Sequence, residues 1–240
     1  MGERSMQKFK IAIFADGANR EEMLKRLKDG SVQGFTTNPS LMVKAGVKDY
    51  AGFAKSILSE IKTLPISFEV FSDDLAGMER EALIIGSWGS NVNVKIPITN
   101  TQGQPTLPLI RKLLDRGLKL NVTAIFTQEQ LDGLREILKP EDDVLVSIFA
   151  GRIADTGVDP MPLMKRAVED YRSKTNSKIL WASTRETLNI YQAEQCGCQV
   201  ITATDDQIAK LAIRGKSLSE YSLETVKGFY NDAKKAGFAL

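Results

Sequence analysis

Eight short segments of strand character alternate with helical patterns along this chain, and that alternation restricts its fold more than any other feature. The segments are Lys10–Asp16, Gly34–Asn38, Ile66–Val70, Val92–Pro97, Leu120–Phe126, Val144–Ala150, Ile179–Thr184 and Val200–Thr204. Their β-branched and aromatic residues suit a pleated, covered surface. Between them, Leu107, Ile110, Leu113 and Leu114 recur at the 3-and-4 spacing of a helix face, as do Leu131, Leu134, Ile137 and Leu138. Thr127 followed by Gln130 has the form of a helix start. No Gly- or Ser-rich linker interrupts the series, so residues 1–240 read as one domain. Such alternation predicts an α/β protein, a parallel (β/α)8 TIM barrel, with a doubly wound open sheet as the competing architecture. After the eighth strand, Val226, Phe229, Tyr230 and Ala233 share one face of an extra C-terminal helix over 219–236, begun at Ser219 or Ser222. Its two aromatics suit it to capping the barrel or to docking on a neighbouring copy.

Composition excludes several classes of function. Lys and Arg number 32 against 30 Asp and Glu, so there is no broad basic field and nucleic acid is not an expected partner. No apolar run approaches the about 20 residues of a membrane span. The segment Met1–Met6 is charged and lacks the apolar stretch and cleavage pattern of a secretion signal, which makes a cytoplasmic protein the expectation. The chain has no histidine, which removes a Ser-His-Asp triad, a Cys-His dyad and the commonest metal ligand. Acid–base work must fall to carboxylates, lysine, tyrosine or water. Cys196 and Cys198, separated only by Gly197, are too close for an ordinary disulfide and have no partners for a zinc site, so they read as structural thiols and no metal is expected.

Lys95 is the residue that points to chemistry. In Asn91-Val92-Asn93-Val94-Lys95-Ile96-Pro97 a period of two puts Val92, Val94 and Ile96 on one face and the amine on the other. A lysine inside a covered strand is either a nucleophile for Schiff-base formation or an inward cation neutralised by a carboxylate. Holding it uncharged near neutrality requires lowering a pKa of about 10.4 by roughly 3 units, or about 4 kcal/mol. Lys10, Lys119 and Lys178 stand at the beginnings of their strands, the bottom of a barrel, whereas Lys95 has most of its strand behind it.

The same parity sets Asp16 against Ile11, Ile13 and Ala15, Ser67 and Glu69 against Ile66, Phe68 and Val70, and Asn121 and Thr123 against Leu120, Val122 and Ala124. It sets Ser147 and Phe149 against Val146 and Ile148, and Trp181 and Ser183 against Leu180 and Ala182. Polar residues therefore converge on one side of many strands, the expected barrel interior.

Five strings in this order resemble the successive motifs of the transaldolase family, in the small subfamily that includes fructose 6-phosphate aldolase. They are Gly34-Phe35-Thr36-Thr37-Asn38-Pro39-Ser40-Leu41, Asn93-Val94-Lys95-Ile96-Pro97, Leu120-Asn121-Val122-Thr123, Ser147-Ile148-Phe149-Ala150-Gly151-Arg152 and Ala182-Ser183-Thr184-Arg185. The resemblance implies that Lys95 forms the Schiff base, that Asp16 exchanges the proton of the C4 hydroxyl, and that Glu69 and Thr123 position a water for proton shuttling. It assigns Asn38, Asn121 and Ser147 to the hydroxyls of a dihydroxyacetone unit, and Arg152, Ser183 and Arg185 to a phosphate clamp. No cofactor is implied, because a protonated imine is its own electron sink. Sugar phosphates are the implied substrates, central sugar metabolism such as the pentose phosphate pathway the implied setting, and a homo-oligomer, a pentamer or decamer, the implied assembly.

Two positions separate the subfamily's activities. The aldolase branch resembles Gln and Tyr where this chain has Glu69 and Phe149, so the resemblance favours a transaldolase over fructose 6-phosphate aldolase. Other features depart from the family pattern: Ile148 replaces a common Pro, Glu186 follows Arg185 where Asn is frequent, and Asp205-Asp206 ends the eighth strand region. They leave open a different anionic sugar, for instance one carrying a sulfonate, and a sugar-phosphate-binding barrel without catalysis is the rival from another class. Asp16 before Gly17 also suits a turn, Asn38 before Pro39 a loop start, and Arg152 and Arg185 could pair with Asp155 and Glu186.

Overall fold

The strand-like segments pair side by side in parallel and close on themselves, β1 joining β8, in a computed structural model that describes residues 9–239. The Met1–Met6 segment, read above for a secretion signal, lies outside the described residues. In chain order the first half comprises β1 (Ala12–Asp16), α1 (Arg20–Asp29), β2 (Gly34–Thr36), α2 (Pro39–Lys44), α3 (Tyr50–Glu60), β3 (Ile66–Glu69), α4 (Leu75–Gly86) and β4 (Val92–Pro97). The second half comprises α5 (Leu107–Asp115), β5 (Leu120–Ile125), α6 (Gln128–Ile137), β6 (Leu145–Ile148), α7 (Ala150–Asp155), α8 (Met161–Arg172), β7 (Lys178–Trp181), α9 (Leu188–Gln195) and β8 (Val200–Ala203). This is the expected (β/α)8 barrel. Two compact units result, Met1–Ile208 with the barrel and Ala209–Leu240 with α11 (Leu218–Ala236), the short α10 (Asp205–Ala209) lying at the division. No described helix is long and apolar enough to cross a membrane.

Local chemistry starts the helices where the sequence signals it. The Thr127 side chain accepts from the Gln130 amide while the Gln130 side chain accepts from the Thr127 amide, a reciprocal cap on α6. Asn19, Asp49 and Asp74 each cap the helix that follows them. The C-terminal helix begins slightly earlier than expected, because Ser217 rather than Ser219 or Ser222 accepts from the Glu220 amide.

Interior and exterior follow the period of two with two exceptions. Phe14, Leu145, Leu180, Ala182 and Val200 pack together inside, with Ala12 and Phe149 against them. Leu180 and Ala182 therefore face inward, which reverses the parity expected for the seventh strand. Trp181 is buried on the opposite face, and Ser183 rejoins the interior side because its φ of 62° turns the chain after β7. In β5 the register shifts between Val122 and Ile125, and Ala124 takes a φ of 58°. Both irregularities fall at the carboxyl ends of strands, where this architecture builds its sites.

Candidate active site

The carboxyl ends of the strands open onto a cavity of about 220 Å3. Lys95 on β4 lies on its floor and is only 5% exposed. Its Nζ stands 2.9 Å from Glu69 Oε2 and donates to the Thr37 carbonyl at 2.9 Å. The pairing follows from register, since Glu69 and Lys95 are directly opposed between β3 and β4. Glu69 is thus a charge partner of Lys95, one of the two roles open to a strand lysine's neighbour. Its backbone is pinned by Tyr50, whose hydroxyl donates to the Glu69 carbonyl at 3.0 Å and accepts from the Glu69 amide at 2.8 Å. Burial lifts the Tyr50 phenol well above its ordinary value, so it stays protonated as that donor.

Asp16 lies across the cavity at the end of β1 and accepts from Thr36 Oγ1 at 2.7 Å. Burial pushes its carboxyl above the usual carboxylate range, against the opposing pull of the Lys95 ammonium and the Thr36 hydroxyl. Thr36 in turn shares a short hydrogen bond with Thr202 of β8. A carboxyl with a raised proton affinity facing a polar cavity is suited to exchanging a proton with a ligand hydroxyl.

The other expected residues gather around this pair. Ser147 donates to Asn121 Oδ1 at 2.7 Å, and Asn121 Nδ2 donates to Ser67 Oγ at 3.1 Å, forming a buried chain across β6, β5 and β3. Thr123 lines the cavity, and its Oγ1 is buried without a protein hydrogen-bond partner. Asn38 both lines the cavity and starts α2: its Oδ1 accepts from the Leu41 amide at 2.9 Å, leaving the amide NH2 for the cavity. The loop-start role and a ligand-facing role therefore coexist.

Arg152 on α7 and Ser183 and Arg185 after β7 line the same cavity. Arg152 lies over the Phe149 ring at 5.4 Å. Gly151 lets α7 approach β7 closely, since a Cβ there would lie 1.6 Å from the Ser183 carbonyl oxygen. Arg185 is not free: its Nε contacts both Asp155 carboxylate oxygens at 2.8 and 3.0 Å, and its Nη2 reaches Oδ2 at 2.5 Å. Of the pairings weighed from the sequence, the one between Arg185 and Asp155 is formed. Cys196 and Cys198 are buried free thiols away from the cavity lining, and burial raises both above the usual thiol range.

Several lining residues went unread in the sequence. Thr36, Thr202 and Thr204 would have followed from extending the period of two to β2 and β8. Gln207 has no local signal: it reaches the cavity from α10, donating to the Thr184 carbonyl at 3.0 Å and accepting from the Thr204 amide at 2.9 Å. Tyr50, which reaches the Glu69 backbone from α3 and is not part of the cavity lining, has none either.

Together these features define a barrel protein with a lysine–carboxylate site at the carboxyl ends of its strands. The model of the Transaldolase/Fructose-6-phosphate aldolase family matches residues 13–240, and the chain belongs to that family. It is 37% identical over 193 residues to a probable transaldolase of Dehalococcoides mccartyi, covering 80% of this chain and 86% of that one. A probable transaldolase of Thermoanaerobacter sp. (strain X514) is 32% identical over 231 residues, covering 96% of this chain and 100% of that one. Among solved structures, a mutant tryptophan synthase alpha-subunit from Pyrococcus furiosus superposes with a TM-score of 0.57 at 12% identity, covering 92% of this chain and 97% of that one. That likeness concerns the fold alone. The family membership supports transaldolase or aldolase-type chemistry.

Proposed function

We propose that this chain is a transaldolase, a transferase that moves a dihydroxyacetone unit from a ketose phosphate, such as sedoheptulose 7-phosphate or fructose 6-phosphate, to an aldose phosphate. The observation that carries this reading is the buried Lys95 amine held 2.9 Å from the Glu69 carboxylate in a cavity it shares with Asp16. A binding protein needs the anion clamp but has no use for a buried amine paired with one carboxylate in a cavity lined by another.

The steps follow from these positions. One ammonium proton passes to Glu69, and the freed lone pair of Lys95 attacks the ketose C2 carbonyl. The carbinolamine loses its hydroxyl as water, with Glu69 returning a proton and the Thr123 hydroxyl holding the water, and a protonated imine remains. Asp16 then takes the C4 hydroxyl proton; the C3–C4 bond breaks, its electron pair flows to the imine nitrogen, and the aldose departs. The resulting enamine attacks the carbonyl of the acceptor aldose, and Asp16 returns its proton to the new alkoxide. Water finally releases the product ketose. Asn38, Asn121 and Ser147 hold the hydroxyls of the three-carbon unit, while Arg152, Ser183 and Arg185 hold the anionic end. Phe149 brings no hydroxyl to the enamine, which favours transfer over release of free dihydroxyacetone.

Borohydride added with fructose 6-phosphate should leave a stable reduced adduct on Lys95, located by peptide mass spectrometry. Absence of any adduct there would exclude the Schiff base. Accumulation of free dihydroxyacetone without an acceptor would make the chain an aldolase instead.

A further inference from the structure

The ladder between β2 and β3 breaks off beside the buried amine. Thr37, the residue after β2, donates from both its amide and its Oγ1 to the Ser67 carbonyl, at 3.1 and 2.8 Å. The next rung of a parallel ladder would run from the Glu69 amide to the Thr37 carbonyl. Here the Glu69 amide donates to the Tyr50 hydroxyl at 2.8 Å, and that hydroxyl donates to the Glu69 carbonyl at 3.0 Å. The Thr37 carbonyl instead accepts from Lys95 Nζ at 2.9 Å. The two uses conflict, because a rung aims the carbonyl along the sheet at β3, whereas the amine meets it from the cavity. Glu69 also needs partners for its backbone, since an unpaired buried amide or carbonyl is costly. Tyr50 is itself held by ring contacts with Phe68, Phe71 and Trp88, at centroid distances of 6.1, 5.1 and 6.0 Å.

We propose that Tyr50 is a positioning residue for imine formation: its hydroxyl stands in for the missing strand partner of Glu69 and thereby leaves the Thr37 carbonyl to Lys95. The amine then has two acceptors, the Thr37 carbonyl and the Glu69 carboxylate, both carried by the barrel wall. Without the hydroxyl, the Glu69 amide turns to its regular ladder acceptor, the Thr37 carbonyl, and Lys95 loses one of the two groups that aim it. Tyr50 is outside the cavity lining, so it acts on the amine and not on the substrate. This rests on the reaction proposed above and adds a residue to it.

The test is Tyr50→Phe in the full-length protein, which keeps the ring and removes the hydroxyl. Tyr171→Phe is the control, because the Tyr171 hydroxyl also donates to a backbone carbonyl, that of Leu131 at 2.7 Å, away from the cavity lining. Tyr50→Phe should lower kcat with fructose 6-phosphate and an acceptor aldose phosphate about tenfold or more, and borohydride trapping in a single turnover should show the same loss in the rate of imine formation. Affinity for glucitol 6-phosphate, which has no carbonyl to attack, should change by less than about twofold. Tyr171→Phe should lower the melting temperature and leave these rates unchanged. Crystal structures should show the Glu69 amide on the Tyr50 hydroxyl in the wild type and on the Thr37 carbonyl in Tyr50→Phe, with Lys95 Nζ beyond hydrogen-bond reach of that carbonyl. An unmoved rate of imine formation, an equal loss in Tyr171→Phe or in glucitol 6-phosphate affinity, or a Thr37 carbonyl still bonded to Lys95 in the variant overturns the proposal. If borohydride leaves no adduct on Lys95 of the wild type, the Schiff-base reaction fails, while the crystal structures still decide whether Tyr50 keeps the carbonyl on the amine.

Discussion

At the scale of single residues, the site is a set of charges whose neighbours decide their use. Asp16 is the clearest case, because burial raises its proton affinity above the ordinary value of 3.8. The folded protein therefore binds more protons at this position than the unfolded chain does, and its stability falls as pH rises through the window from 3.8 upward. Asp16→Asn should consequently lose transfer activity by at least about a hundredfold while melting higher than the wild type at pH 7. The gain in melting temperature should vanish below about pH 4, where the wild-type carboxyl is protonated in both states. Equal melting temperatures at pH 7 would show that the carboxylate is not penalised by burial. Lys95, Asp16 and Glu69 were all legible in the sequence, since each lies on a strand whose alternation shows which way it points. The partner of Arg185 was legible only as one of two, Asp155 and Glu186.

At the scale of elements, the approach of α7 to β7 positions the anion clamp. Gly151 and the φ of 62° at Ser183 permit it: the first because any side chain would strike the Ser183 carbonyl, the second because it turns a residue expected inside the strand toward the cavity. Gly151→Ala should cost about 1–3 kcal/mol in urea denaturation and raise KM for an anionic ketose more than for free dihydroxyacetone. An unchanged denaturation midpoint would mean that the two segments separate freely. The same pair of elements explains why the seventh strand departs from the parity its sequence predicts. Period-two reasoning assumes uninterrupted extended backbone, and the chain leaves that conformation at Ser183. The Thr127–Gln130 cap forms as its sequence predicts for the opposite reason, since its hydrogen bonds join residues three apart.

At the scale of the whole molecule, the barrel unit encloses its own site, and α11 of the second unit carries Leu223, Val226, Phe229 and Tyr230 exposed, with Phe238 exposed beyond it. We propose that this row meets another copy of the chain. Light scattering during size exclusion should give an oligomer for the wild type and a smaller species for Phe229→Asp combined with Tyr230→Asp; a monomeric wild type would refute the assembly. The sequence by itself determined the order of strands and helices and the inward set of amines and carboxyls on most strands. Those properties arise from spacings of two to four residues. Only the tertiary structure decided that Glu69 stands 2.9 Å from Lys95, that Tyr50 pins it, that Gln207 reaches the cavity, and that Asp155 occupies Arg185. Each of those contacts joins residues tens of positions apart or reaches in from a neighbouring helix, and each forms only when the strands close into a ring and bring their ends together.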